Sequence, residues 1–484
     1  MNFRLVSYFL SKLSLACAAS LLAPIFVAIL MGETFFKPFV LTILVALISA
    51  FVLGRYGKTL DDKITYREGV ATVAIAWILV TFIGALPYVF TGILDPVSAY
   101  FESISGFTTT GTTTIANIEI LPRSILFWIS LTHWMGGIGI VVIFIALLPS
   151  IGNGAAHMFN AEVTGHTEER VLPRIKKTSI ALVTIYMGIT GLEAIFLYFA
   201  GMSVFDSITH AFSTIATGGF SSYDTSIIHF NSPLIEVILS FFMIVAGGNF
   251  ALYYSIGENG IKELGKNTEF KYYIGIIALA IMVITLNLTL KTDYNLLESL
   301  RHSSFQVASI ISTTGFVSND FDVWPTFSKL VLMLLMFIGG CAGSTAGGIK
   351  VSRIVILGKL AYQELKKIVH PNMITNVFMN NKAVPINIIS GIVRFFFLYI
   401  VLFAILALLL TTTGISISDS IGIIAATISS VGAAYGIAGA TCTYATLPIF
   451  AKIVICIAML LGRLELFTLM ILLRPEFWRS TRNW

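Results

Sequence analysis

Four stretches rich in threonine, serine and glycine hold the residues best suited to chemistry in this 484-residue chain. They read SGFTTTGTTT (Ser105–Thr114), STIATGGFSS (Ser213–Ser222), SIISTTGFVS (Ser309–Ser318) and ISSVGAAYG (Ile428–Gly436). Hydroxyl and backbone oxygens, without nitrogen or sulfur ligands, suit a hard cation and not a transition metal. Glycine reaches positive φ without a β-carbon penalty, so carbonyls beside it can be turned toward a common axis. Anchored on Gly111, Gly218, Gly315 and Gly432, the clusters lie 107, 97 and 117 residues apart. Spacing of this kind reads as a unit of about 107 residues repeated four times. Glycines recur at Gly136, Gly247, Gly339 and Gly462, 25, 29, 24 and 30 residues beyond the anchors.

The elements that position these clusters must cross a membrane. Hydrophobic residues make up 56% of the chain, charged residues 11%, and mean hydropathy is +0.89. A soluble fold carries roughly 25% charged residues on its surface, so soluble, disordered, nucleic-acid-binding and disulfide-scaffold readings are excluded. The net charge of +5 reflects loop topology, and Cys17, Cys341, Cys442 and Cys456 show no CxxC spacing. A crossing helix needs about 20 mainly apolar residues. Such runs fall near 5–32, 36–54, 70–93, 126–148, 178–201, 234–256, 272–290, 328–349, 388–413 and 447–472. The expected fold is therefore all-α, with ten transmembrane helices and both termini on one side. One set of loops holds most of the Lys and Arg, among them Arg55, Lys58, Lys63, Arg67, Arg170, Arg174, Lys262, Lys350, Arg353 and Lys359. The opposite loops hold Lys37, Arg123, Lys291, Arg301 and Lys329. The positive-inside rule places the first set, and both termini, in the cytoplasm.

Each repeat reads as a spanning helix, a re-entrant half-helix, a glycine loop and a second spanning helix. The expected division is a two-helix preface over 1–54, pore repeats over 68–152, 173–257, 270–356 and 385–473, and a cytoplasmic tail over 474–484. Irregular backbone at membrane depth must line protein or water, and four such loops around one axis make rings of carbonyls able to replace a cation's hydration shell. Half-helices ending at the loops would aim the negative ends of their dipoles there. Asp206, Glu298 and Asp419 then cap the helix starts. Asp224, Asp320 and Asp322 follow the loops, either as solvated acids or as a mouth that concentrates cations.

Two features lie beneath the loops. Gly339, Gly340, Gly343, Gly347 and Gly348 interrupt a span, with Ser344, Thr345 and Ala346 among them. At about 1 kcal/mol per glycine, no continuous helix is expected there. The segment either obstructs a pore or makes a close helix contact through small residues. Its GSTAGGIK string imitates a phosphate loop, but Ile349 stands where the lysine is required and no strand precedes it. Arg463 lies deep in the last span, where a cation faces a cavity or a partner. It acts either as an electrostatic barrier or in a structural ion pair, and Glu465 points to another side of the helix. His133, Asn249 and Arg394 read as structural. The basic stretch 350–387 and the tail suit a regulatory partner or anionic lipid headgroups.

Together with the four loops, HWMGGIGI (His133–Ile140), GGCAGSTAGGIK (Gly339–Lys350) and LLGRLELF (Leu460–Phe467) resemble the Trk/Ktr/HKT superfamily of potassium transporters, most closely its bacterial TrkH branch. The resemblance covers essentially the whole chain. It implies a pseudo-fourfold pore in the bacterial inner membrane, selective for K⁺ and Rb⁺ over Na⁺. It also implies a homodimer and a cytosolic ring of nucleotide-binding regulatory subunits of the TrkA type. The family's filter positions match Thr110–Gly111, Thr217–Gly218 and Thr314–Gly315, while the fourth loop departs, with Val431 ahead of Gly432. A glycine at position 111 goes with potassium in this superfamily, a serine with sodium, and a single recognisable glycine ring implies moderate selectivity. Gly343, Ser344, Thr345, Ala346, Gly347 and Gly348 match its intramembrane loop, and Arg463 matches its Gly-Arg motif. No cofactor in this chain, no enzyme activity and no nucleic-acid partner are expected; K⁺ is the transported ion. The competing expectation is an H⁺- or Na⁺-coupled potassium symporter. Such folds show inverted repeats and intramembrane acids, whereas these repeats are parallel and the spans nearly lack acids. HExxH, GxSxG and paired intramembrane aspartates are missing.

Overall fold

The computed structural model describes residues 1–57, 66–147, 171–373, 375–439, 442–464 and 466–478. Lys58, Lys63, Arg170, Glu465, the end of the first repeat and the last six residues lie outside these. Among the described residues, six helices are long and apolar enough to cross a membrane: Phe3–Leu30, Lys37–Tyr56, Arg67–Phe90, Thr178–Phe199, Thr268–Lys291 and Ile386–Thr411. Arg123–Leu147 is a further 25-residue helix. Phe26, Phe51, Leu279, Phe397 and Leu408 are more than half exposed on these helices. An apolar exterior on this scale needs a lipid solvent.

Three of the expected spans are not single helices. Pro233–Ala246 and Phe250–Asn259 meet at an angle of 88°. Gly247–Gly248–Asn249 makes the corner, and the Asn249 side chain accepts from Ala251 N at 2.8 Å and Leu252 N at 3.3 Å. Asn249 is thus a helix cap. The span expected at 328–349 is helical only over Thr326–Ile338, and regular structure resumes at Val351. The last expected span, 447–472, is helical over Ile449–Arg463 and breaks at Leu464. The all-α expectation also needs a small amendment. Phe378–Met379 pairs with Lys382–Ala383 across Asn380 and Asn381, at φ 49° and 61°. Two asparagines at positive φ close a two-residue hairpin of the primed type.

Four short helices occupy the interior: Pro96–Phe107, Val204–Ile215, Leu296–Ile311 and Ile417–Ile428. Each starts at a residue whose side chain accepts from backbone N–H groups of the first turn, namely Asp95, Ser203, Asn295 and Ser416. Glu298 completes a capping box with Asn295, while Asp206 and Asp419 take hydrogen bonds from Ser203 and Ser416, both at 2.7 Å. Glu298 therefore caps, as its position suggested, while Asp206 and Asp419 hold the serine hydroxyls that cap their helices. The third helix has 16 residues where the others have 12, one extra turn at its N-terminus.

Long helices pack onto the ends of the short ones through missing side chains. A β-carbon on Gly136 would overlap the carbonyl of Phe107, and one on Gly462 that of Ile428. Gly137 and Gly247 press in the same way on Ala216 and Ser312, and Gly347, in a non-helical stretch, presses on Ser429, each just past the short helix of the following repeat. Gly339 differs, because its close neighbours are Gly347 and Gly348 of its own broken segment.

Candidate functional site: four loops in a ring above a broken segment

The same backbone turn follows every short helix. One residue adopts a left-handed conformation, the next is ordinary, and the third is a left-handed glycine. The pairs are Thr109 (φ 54°) and Gly111 (79°), Thr217 (55°) and Gly219 (65°), Thr313 (58°) and Gly315 (86°), and Ser430 (56°) and Gly432 (86°). The middle residue donates its N–H to the carbonyl five residues back: Thr110 to Ser105 at 2.9 Å, Gly218 to Ser213 at 2.7 Å, Thr314 to Ser309 at 2.9 Å and Val431 to Ala426 at 2.7 Å. Three β-branched threonines at positive φ mark a strained backbone of the kind that persists where function holds it.

This register corrects the sequence anchor in the second loop. Gly219, not Gly218, is the counterpart of Gly111, Gly315 and Gly432, and Thr217 is the counterpart of Thr109, Thr313 and Ser430. Aligning threonine with threonine placed the loop one residue out; the φ values decide the matter. The four glycines then close a ring. A β-carbon on Gly111 would overlap the carbonyl oxygen of Gly218, on Gly219 that of Thr314, on Gly315 that of Val431, and on Gly432 that of Thr110. The structure thus brings together Thr110, Gly111, Thr217, Gly218, Thr314, Gly315, Val431 and Gly432, and adds Gly219. Val431 lacks a hydroxyl, yet its carbonyl stands in the ring like the other three.

Two residues that the sequence reading passed over support the chain just beyond the ring. Glu102, buried in the first short helix, accepts from Thr113 Oγ1 at 3.1 Å and Thr114 N at 3.0 Å. His210 occupies the corresponding place in the second: Nδ1 donates to Asp206 O at 2.8 Å, so Nε2 accepts from Ser221 Oγ at 3.0 Å. Each stands nine residues before its ring glycine, as do Gln306 and Ile423. The corrected register makes that position visible. Outside the ring, Asp224 accepts from Ile118 N at 2.7 Å and Asp322 from Gly436 N at 2.9 Å. These loop acids tie neighbouring repeats together.

The broken segment runs from Gly339 to Lys350. Its turns use Gly339, Gly343 and Gly348 at positive φ, and also Lys350 at φ 82°. Thr345 Oγ1 donates to Ile215 O at 3.0 Å and Ala246 O at 3.3 Å, and Gly347 N donates to Thr313 Oγ1 at 2.7 Å. Those contacts place the segment directly against the second and third loops, and Gly347 against Ser429 of the fourth. Ser344, Ala346 and Gly343 line the same stretch; Gly343 O accepts from Phe250 N at 3.3 Å. Arg463, 3% exposed, reaches this segment from the last repeat. Its Nη1 donates to Thr345 O at 2.6 Å and its Nη2 to Gly136 O at 3.3 Å. Among the described residues no carboxylate pairs with it, so the structural ion-pair alternative does not hold there.

Glu269 was also missed. Its Oε1 accepts from Ala342 N at 2.7 Å and Ser352 N at 3.1 Å, on either side of the broken segment. Lys350 Nζ closes the same turn by donating to Ala346 O at 2.6 Å. A lone acid opening a span was the available signal. Glu269→Ala leaves the buried Ser352 N–H and the half-buried Ala342 N–H without acceptors, a cost of about 1–3 kcal/mol for the buried one. Faster amide exchange around Ala342 and Ser352, by about tenfold or more, is the expected result, while Glu269→Gln keeps an acceptor and stays near wild type. Mass-spectrometric hydrogen exchange checks both. The spans are also less free of acids than the sequence suggested: Glu193 is fully buried in the helix Val171–Phe199.

Taken together, long apolar helices packed around four oxygen-lined loops define the class of membrane-spanning proteins. Residues 31–480 match the TrkH family, described as cation transport proteins. The Trk system potassium uptake protein TrkH of Salmonella typhimurium is 36% identical over 485 residues, covering 99% of this chain and 100% of that one. TrkG of Escherichia coli is 33% identical over 483 residues, covering 99% of each. The crystal structure of the potassium transporter TrkH from Vibrio parahaemolyticus superposes with a TM-score of 0.91 at 34% identity, covering 99% of this chain and all of that one. The chain belongs to the TrkH family of cation transport proteins.

Proposed function

We propose that this chain is the ion-translocating subunit of a bacterial potassium uptake system and conducts K⁺ and Rb⁺ in preference to Na⁺. The closed ring carries the reading: four backbone carbonyls, from Thr110, Gly218, Thr314 and Val431, each held against a glycine of the adjacent loop. A ring of carbonyls substitutes for the hydration shell of a hard monovalent cation. One such ring gives moderate discrimination. The short helices enter from outside as re-entrant elements and aim the negative ends of their dipoles at the ring. The ten expected crossings, some broken, leave both termini in the cytoplasm. Gly343–Gly348 and Arg463 form the gate beneath the ring. The subunit works in the inner membrane as a homodimer, and a TrkA-type nucleotide-binding ring docks on its cytosolic face.

A second reading, coupling of K⁺ entry to H⁺, draws support from the buried Glu193. One assay separates the two: ⁸⁶Rb⁺ uptake into proteoliposomes holding the purified chain and a K⁺ gradient. Uptake driven by that gradient alone, competed by K⁺ and not by Na⁺, is the expected result. Uptake that needs an imposed proton or Na⁺ gradient would replace the passive pore with a symporter.

A further inference from the structure

Three of the four loops carry a side chain at the ring residue, and one does not. In the first loop, Thr110 Oγ1 hydrogen-bonds Thr108 Oγ1 at 2.8 Å; in the third, Thr314 Oγ1 bonds Ser312 Oγ at 2.7 Å. The fourth loop has the buried Val431 at this place, with Ser429 Oγ held by the hydroxyl of Tyr399 at 2.9 Å. The second loop has Ala216 and Gly218 at the corresponding positions. Neither can form the hydroxyl brace, and Gly218 has no side chain to pack.

What fills the gap is His133, from the second long helix of the first repeat. A β-carbon on Gly218 would land on the imidazole, with Cδ2, Cγ and Cβ of His133 as its three nearest atoms. The ring also stacks on Phe220, centroids 5.9 Å apart and planes 15° apart, so it grips the loop on both sides of Gly219. Its own orientation is fixed, because Nδ1 lies 3.0 Å from the Ile129 carbonyl and must donate to it. Nε2, fully buried, has no hydrogen-bond partner among the described residues. The face of the imidazole is what the site uses, and no second hydrogen bond competes for its position. A stiff aromatic body loses little rotamer freedom on packing and holds its neighbour accordingly.

We propose that His133 is a positioning residue for ion selectivity: its ring replaces the side chain absent at Gly218 and fixes the carbonyl that the second loop contributes to the ring. The proposal rests on the potassium-pore reading above. It explains why glycine occupies this place in one loop and bulkier residues in the other three. It also makes the two positions interdependent, so their substitutions must not add.

The test uses the full chain in proteoliposomes, read as the ratio of Rb⁺ uptake to Na⁺ uptake, with thermal unfolding of each purified variant alongside. His133→Ala is expected to lower the ratio by about tenfold, equivalent to about 1.4 kcal/mol of preference. His133→Phe keeps a flat ring on Gly218 and is expected to keep the ratio within about threefold of wild type. Gly218→Thr alone collides with the ring and lowers the ratio. The pair His133→Ala with Gly218→Thr regains most of it, since the threonine then occupies the vacated space. A wild-type ratio in folded His133→Ala would overturn the proposal. So would a wild-type ratio in Gly218→Ala, which sets a single methyl against the imidazole and serves if His133→Ala does not fold. If the unmodified chain itself does not prefer Rb⁺ to Na⁺, the potassium reading falls, and that failure is told apart because it precedes any substitution.

Discussion

Arg463→Ala is expected to raise Rb⁺ flux through the reconstituted protein by roughly 10- to 100-fold. The guanidinium joins the tip of the broken segment, at Thr345 O, to Gly136 O of the first repeat. Hydrogen bonds from a charged donor contribute about 1.5–3 kcal/mol each, and losing that from one state alone shifts a closed-to-open balance by one to two powers of ten. The substitution also removes a positive charge from beneath the carbonyl ring, on the proposed route of the cation. Both effects act in one direction. Arg463→Lys keeps the charge but not the planar fork, so it should fall between wild type and alanine. Proteoliposome uptake with size-exclusion controls decides the matter: flux that is unchanged or lower in folded Arg463→Ala rules out a latch at this residue.

Gly219→Ala should abolish uptake, with a loss of about 100-fold or more. Two costs meet at this residue. Its φ of 65° disfavours any L side chain, by roughly 1–2 kcal/mol. The added methyl would also overlap the Thr314 carbonyl oxygen, which cannot yield without pulling the third loop out of the ring. No change at His133 should rescue this variant, because the obstructing atom is backbone of another repeat. Gly218→Thr, by contrast, should be rescued by His133→Ala. The comparison tests the corrected register directly, since an anchor at Gly218 predicts the reverse pattern. Substantial Rb⁺ uptake by folded Gly219→Ala would show that the ring is not the ion's path.

Several features are written in local sequence. The Thr/Ser/Gly clusters, their wide spacing and the flanking apolar runs are periodic signals that do not depend on tertiary contacts. The caps Ser203, Asn295 and Ser416 with their partner acids follow from side-chain chemistry within a single turn. The glycine-rich break at Gly339–Gly348 could be foreseen too, since five glycines in ten residues cannot sustain a helix. That Val431 would still offer its backbone was likewise readable, because every residue carries a carbonyl whatever its side chain.

Other features required the folded chain. In the second loop the sequence offers two adjacent glycines, and local propensity does not choose between them. The choice is made by Thr314, 95 residues away, whose carbonyl leaves no room for a β-carbon at Gly219. The 88° corner at Gly247–Asn249 is hidden because both its arms are apolar and average to one hydrophobic run. Nothing in the local sequence marks out Glu102, Glu269 or His133; what distinguishes them is the backbone each one meets. Sequence by itself determined the membrane class, the fourfold repeat pattern and the irregular segments, since these depend on composition and spacing along the chain. Tertiary structure alone decided which glycine closes the ring, what holds each loop and what Arg463 grips, because those are contacts between residues that the chain order keeps far apart.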